Sequence, residues 1–157
     1  VADLEELYRE IILDHYRSPR NRGELPVPPA HRTEGFNPLC GDEIIVTIDV
    51  EDGVLSDIKI GGQGCSISQS SASLMSAAVK GLPIAEVRKK IDTFKTLMTV
   101  HEAQLEEGDG IEDPEPVDLQ SLGELAALQG VVKFPVRIKC ATLAWNTLAQ
   151  GLNEVGA

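Results

Sequence analysis

The stretch that most constrains this chain is "DEIIVTIDVEDGVLSDIKI", Asp42 to Ile60. Two alternating segments, "DEIIVTIDV" and "VLSDIKI", flank Glu51-Asp52-Gly53, and period-two patterning on either side of a Gly-bearing turn predicts a β-hairpin. Its surroundings read as helix or connector. Upstream, "DLEELYREIILDHYRSPRNRG" sets Leu4, Leu7, Tyr8, Ile11 and Ile12 on one helical stripe, with acid early, Arg17 and Arg20 late, and Pro19 and Gly23 as the stop. The following "ELPVPPAHRTEGFNP" carries four prolines and reads as an extended connector. Downstream, "GGQG" delivers the chain to Cys65, and "CSISQSSASLMSAAVKG" predicts a helix rich enough in Ser and Ala for another backbone to approach it closely. The helical pattern continues in "IAEVRKKIDTFKTLM". The acidic "EEGDGIEDPEPVD" predicts a loop, mobile near 106–116, and "LQSLGELAAL" one short helix. "VKFPVRIKCATLAWNTLAQGL" predicts a C-terminal helix with Cys140 at its head, Leu143, Leu148 and Leu152 facing the core, and Trp145 inside it.

The chain has 157 residues, 42% of them hydrophobic, which suits one domain over 1–157 with a single sizeable core. No apolar run approaches the roughly 20 residues a membrane span needs, and the first residues lack a signal-peptide layout, so the expectation is a soluble, cytoplasmic protein. Fourteen Lys+Arg against twenty-five Asp+Glu give a formal charge of −11. That charge argues against nucleic acid or a membrane surface as partner and leaves room for docking a basic protein.

An odd count of three cysteines, in a chain with no sign of export, makes a disulfide framework a poor reading. Each cysteine sits at an element boundary: Cys40 in "NPLCGDE" before a strand, Cys65 after glycines at a helix start, and Cys140 at another helix start. A helix N-terminus carries partial positive charge and unpaired N–H groups, which favour a thiolate at Cys65 and Cys140. The competing reading is that these are small buried hydrophobes with no task. If the three thiolates and Asp42 converge, three sulfurs and one oxygen suit a tetrahedral Zn²⁺. Such a set leaves excess negative charge, which Arg137 and Lys139 in "VRIKC" are placed to offset. No Cys-x-x-Cys pair marks the site, so the spacing alone leaves both readings open.

Four motifs in order, "LYREIILDHYRSPRNRG", "NPLCGDEI", "GGQGCSISQSSASLM" and "KFPVRIKCATLAW", resemble the SufU branch of the IscU-like (NifU N-terminal-like) iron-sulfur cluster assembly proteins, from Leu7 to about Gly151. The resemblance implies an α+β fold in which a small three-stranded antiparallel sheet is packed by helices, with three Cys and one Asp at one exposed end. It implies that Cys40, Asp42, Cys65 and Cys140 are zinc ligands. IscU scaffolds carry a histidine just before the third cysteine, where this chain has Lys139, and "VDLQSLGELAALQGVVKFP" resembles the extra stretch of SufU proteins. The acidic "EEGDGIEDPEP" looks longer than is usual for SufU.

By that resemblance the chain is a zinc-dependent sulfurtransferase. It would accept persulfide sulfur on Cys40 from a SufS-like, pyridoxal-phosphate-dependent cysteine desulfurase and pass it to downstream cluster assembly proteins and iron. Cys40 would leave the metal when the desulfurase supplies a replacement ligand, and Arg137 is a candidate contact for that partner. The alternatives are a scaffold on which an iron-sulfur cluster is built, since thiolates suit clusters as well as zinc, and a non-catalytic zinc-stabilised interaction domain. His15, His31 and His101, scattered over helix, linker and loop, read as structural or surface residues, so a Cys-His hydrolase fits poorly. Arg17, Arg20, Arg22 and Arg32 read as a solvated face rather than a docking patch.

Overall fold

The computed structural model describes residues 2–38, 41–107, 125, 127, 128 and 135–156, and side chains within 8–38, 41–98, 125, 127, 128 and 137–156. The hairpin forms as its pattern requires. Strands β2 (Asp42–Glu51) and β3 (Val54–Gln63) pair antiparallel, with Glu51 opposite Val54. Asp52 (φ 52°) and Gly53 (φ 75°) close the two-residue turn. Both lie in the left-handed region, as the turn that matches strand twist demands. A register shift at Asp49/Val50 lets Leu55 face Val50 across the end of the ladder.

The proline-bearing connector differs from its expectation, because its second half is a strand. Strand β1 (His31–Asn37) pairs antiparallel with β2, giving the sheet order β1-β2-β3. Its inward positions are Thr33, Gly35 and Asn37, so no apolar alternation announces it. Gly35 is small for a reason: a Cβ there would stand 2.0 Å from Thr147 Oγ1 on the helix that crosses β1.

Helices α1 (Ala2–Arg17), α2 (Ser66–Val79), α3 (Ile84–Glu107) and α4 (Pro135–Glu154) complete the fold. Ile44, Val46, Ile48, Leu55, Ile58 and Ile60 of the hairpin form one buried cluster with Val87 and Phe94 of α3 and with Trp145, Leu148 and Leu152 of α4. Leu143 is partly buried against that cluster, as are Ile11 and Ile12 of α1. The side chains of Leu4 and Leu7 lie outside the described residues. Of the short helix expected over 119–128, Leu125, Ala127 and Leu128 are described, and all three are buried.

The small residues of α2 admit neighbouring backbones and also fasten them. Ser70 Oγ donates to Ile12 O of α1 at 2.8 Å, and Ser71 Oγ donates to Ala141 O of α4 at 2.5 Å. Ser73 Oγ accepts the Arg20 amide at 2.9 Å and shares a 2.7 Å hydrogen bond with His15 Nδ1. These hydroxyls are fully buried, so each needs a partner, and helix carbonyls and His15 provide it. His15 is thus a packed helix-end histidine.

Two other expectations need correction. Helix α3 runs to Glu107, so His101 lies on a helix, and Glu106 and Glu107 belong to that helix rather than to the acidic loop. The remainder of that loop, from 108, lies outside the described residues. His31 opens a strand, and its Nε2 shares a 2.8 Å hydrogen bond with Glu154 Oε1. The arginines occupy a solvated face: Arg20 pairs with Asp14 at 2.5 Å, Arg32 with Glu24 and Glu34, and Arg22 donates to Gln69 and to the Gly62 carbonyl. Among the described residues no helix is long and apolar enough to cross a membrane.

The His31–Glu154 contact ties β1 to the end of α4 and carries a pH signature. The hydrogen bond with His31, followed by that from Gln150, holds the Glu154 carboxyl below the usual carboxylate range. A depressed folded pKa contributes stability that is present above the unfolded pKa and lost as pH falls through the folded one. Glu154→Gln is therefore expected to melt slightly below wild type at neutral pH and to converge with it in strong acid, read by thermal melts across that range. A gap between the two that persists or widens in acid would show that the carboxylate is not the source.

Candidate metal centre

Three elements meet at one end of the sheet. Asp42 is the first residue of β2 and fully buried. Cys65 is the N-cap of α2: its backbone is extended (φ −69°, ψ 167°) and its Sγ accepts the Ser68 amide at 3.5 Å, a cap usually made by an oxygen. Cys140 is fully buried on α4. It sits in the second turn and not at the helix head as expected, because the helix already begins at Pro135, a residue well suited to a first turn. The favourable helix-terminus setting therefore applies to Cys65 and not to Cys140.

The carboxylate oxygens of Asp42 and the sulfurs of Cys65 and Cys140 offer ligand atoms that all lie within 4.8 Å of one another. Cys65 Sγ is 3.8 Å from Asp42 Oδ2. A tetrahedral zinc with bonds of about 2.0–2.3 Å separates its ligand atoms by roughly 3.5–3.8 Å. The Cys65–Asp42 spacing and the donor chemistry, two thiols and a carboxyl, therefore fit such an ion, with the whole set gathered within 4.8 Å. No disulfide joins the two cysteines.

Hydrogen bonds aim the ligand atoms. The Cys65 amide donates to Asp42 Oδ1 at 2.9 Å, leaving Oδ2 toward the sulfurs. Asn37 Nδ2 points at Cys140 Sγ from 3.8 Å. Both Asn37 and Ser68 are supporting residues that sequence reasoning did not single out: Asn37 before a proline reads as a turn former, and Ser68 is one serine among many. Cys40, the fourth expected ligand and expected sulfur acceptor, lies outside the described residues. The Gly41 amide donates to Asn37 O at 2.9 Å. Arg137 and Lys139 are exposed on the first turns of α4.

A β-hairpin extended by one strand, backed by helices, with Asp and Cys ligand atoms gathered at the strand entrance, is a recurrent architecture. The family model described as the NifU-like N terminal domain matches residues 7–141. The "Zinc-dependent sulfurtransferase SufU" of Bacillus subtilis (strain 168) is 41% identical over 151 residues, covering 96% of this chain and 92% of that protein. The "Iron-sulfur cluster assembly scaffold protein IscU" of Streptococcus pyogenes serotype M1 is 36% identical over 154 residues, covering 98% and 87%. The crystal structure of FiSufU from Fervidobacterium islandicum AW-1 superposes with a TM-score of 0.77 at 26% identity, covering 91% of this chain and 94% of that one. The chain belongs to the NifU-like N-terminal domain family, in the IscU-like group that includes SufU. The three-stranded antiparallel sheet packed by helices, expected from the motifs, is the fold found.

Proposed function

We propose that this chain is a zinc-dependent sulfurtransferase that accepts persulfide sulfur from a cysteine desulfurase for iron-sulfur cluster assembly, with 1–157 acting as one domain in the cytoplasm. The observation that carries the reading is the convergence of Asp42, Cys65 and Cys140 ligand atoms within 4.8 Å. The likeness to SufU along nearly the whole chain supports it. Cys40, two residues from Asp42, is the fourth ligand in this reading. A bound zinc supplies positive charge that keeps cysteine sulfurs deprotonated near neutral pH.

The chain's own residues then divide the work. Asp42, Cys65 and Cys140 hold the site together, aimed by the Cys65 amide and by Asn37. The Cys40 thiolate attacks the outer sulfur of the desulfurase persulfide: a new S–S bond forms on Cys40, the donor's S–S bond breaks, and the donor cysteine leaves as a thiolate. Arg137, exposed beside Cys140, is the side chain we assign to contact with the desulfurase.

A second reading, a scaffold for cluster assembly, has its own support in the IscU scaffold of Streptococcus pyogenes and in a Thermotoga maritima relative of the same name, 36% identical over 95% of this chain. Metal analysis of anaerobically purified protein separates the two. One zinc per chain and no colour is the expected result; brown protein with iron and sulfide would favour the scaffold. A ligand that binds only the folded state, at a thousand times its Kd, contributes about 4 kcal/mol. Chelation is therefore expected to lower the Tm on the order of 10 °C. Substoichiometric zinc with an unchanged Tm would sink the metal reading. Faster cysteine turnover on adding the zinc-loaded protein to a desulfurase is the remaining expected result. Zinc without stimulation would leave a non-catalytic interaction domain.

A further inference from the structure

We propose that Gly64 is a positioning residue of the metal centre: its missing side chain lets the Asp42 carboxylate dock on the Cys65 amide, which aims Oδ2 at the cysteine sulfurs. The inference rests on the metal reading of the site. Gly64 is not among the glycines with positive φ, so backbone conformation does not call for glycine there. Space does. A Cβ on Gly64 would stand 2.5 Å from Asp42 Oδ1, 3.0 Å from Asp42 Cγ and 2.7 Å from Ser68 Oγ. By contrast, a Cβ on Gly41, next to Asp42, would meet nothing within 4 Å among the described residues.

Which group yields decides the consequence. Ser68 Oγ donates to Cys65 O at 3.1 Å and can rotate at the cost of that one bond. Asp42 has little freedom: its backbone is paired with Asn37 at the start of β2 and its side chain is fully buried. With the backbone held in place, rotation of the carboxyl relieves the clash with Asp42. Rotation breaks the 2.9 Å bond from the Cys65 amide and swings Oδ2 away from Cys65 Sγ. The cost of a methyl group at residue 64 therefore falls on a ligand two elements away in sequence. Groups that orient metal ligands typically contribute 10–100-fold to metal affinity.

The test is a double-mutant cycle of wild type, Gly64→Ala, Asp42→Ala and the pair, with Zn²⁺ affinity measured by competition with a chromophoric chelator and the donor set read from Co²⁺ absorption. Gly64→Ala is expected to bind Zn²⁺ about 10–100-fold more weakly, with a Co²⁺ spectrum matching that of Asp42→Ala. The pair should bind no more weakly than Asp42→Ala alone, because the carboxylate that Cβ meets is gone and the remaining contact, with Ser68 Oγ, is relieved by turning that hydroxyl. Wild-type affinity in Gly64→Ala, a wild-type Co²⁺ spectrum, or losses that add in the pair would overturn the proposal. If Gly64→Ala alone fails to fold, the pair is expected to fold; a misfolded pair beside a folded Asp42→Ala would overturn it too. Wild-type protein that binds no Zn²⁺ would overturn the metal reading itself, whereas zinc-binding wild type with an unaffected Gly64→Ala overturns this inference alone.

Discussion

Replacing Cys40 with serine is expected to reduce stimulation of the desulfurase to background while zinc stays on the protein. Asp42, Cys65 and Cys140 supply three ligand atoms that the structure already gathers within 4.8 Å, and water or the weak serine oxygen can take the fourth position. Zinc should therefore be retained, though more loosely. The thiolate proposed to accept sulfur is gone, and a hydroxyl does not replace it, because attack on a persulfide depends on thiolate nucleophilicity. Cysteine turnover by the desulfurase should accordingly match the rate without this protein. On wild type, the added sulfur should appear by mass on the peptide containing Cys40. A zinc-loaded Cys40→Ser protein that stimulates like wild type, or sulfur mapped to Cys65 or Cys140, would remove Cys40 from its proposed role.

The parts of the fold that sequence reasoning reached are those whose signal is local. The β2–β3 hairpin carries period-two alternation and a Gly-bearing turn, and the serines of α2 announce close helix contacts. Strand β1 carries neither signal. Its inward residues are Thr33, Gly35 and Asn37, and its Phe36 is 61% exposed, so it is a strand because β2 offers it an edge and α4 covers it. Tertiary pairing overrode composition there. Helix α3 outran its expected end for a related reason: "HEAQLEE" has little apolar periodicity but is made largely of good helix formers.

The site was legible to the same degree. Asp42 at a strand entrance and Cys65 at a helix cap follow from adjacent residues. The approach of Cys140 does not, because it depends on how α4 lies across β1 and β2. Its expected place at the helix head also failed, since proline five residues earlier opens the helix. Gly64 was invisible as a functional residue: what forbids a side chain there is the Asp42 carboxyl, and no local pattern encodes that neighbour. The proposed four-residue zinc ligand set, Cys40 included, rests on motif resemblance; of it the structure gathers Asp42, Cys65 and Cys140.

Trp145 helps to fasten the contact between α2 and α4 that brings Cys65 toward Cys140, so Trp145→Ala is expected to have a large effect on stability. Trp145 is fully buried and stacks on Phe94 of α3 with ring centroids 4.4 Å apart and planes 17° from parallel. Its Nε1 donates to Ser71 Oγ at 3.1 Å, and Ser71 in turn donates to Ala141 O, the carbonyl next to Cys140. Truncation of a buried Trp typically costs about 3–5 kcal/mol, a large share of the 5–15 kcal/mol that holds an ordinary domain together, here taken as roughly typical. The Tm should fall by roughly 10–15 °C. Trp145→Phe keeps an aromatic ring against Phe94 but loses the N–H donor and part of the indole volume, so its cost should be smaller, about 1–3 kcal/mol. Because Ser71 and Ala141 sit on the two helices that carry the cysteines, Trp145→Ala should also weaken Zn²⁺ binding at temperatures where the protein is still folded, and Trp145→Phe should weaken it much less. Calorimetric melts and chelator competition on both variants check this; a Trp145→Ala protein melting within a few degrees of wild type would show that the helices are held by something other than this side chain.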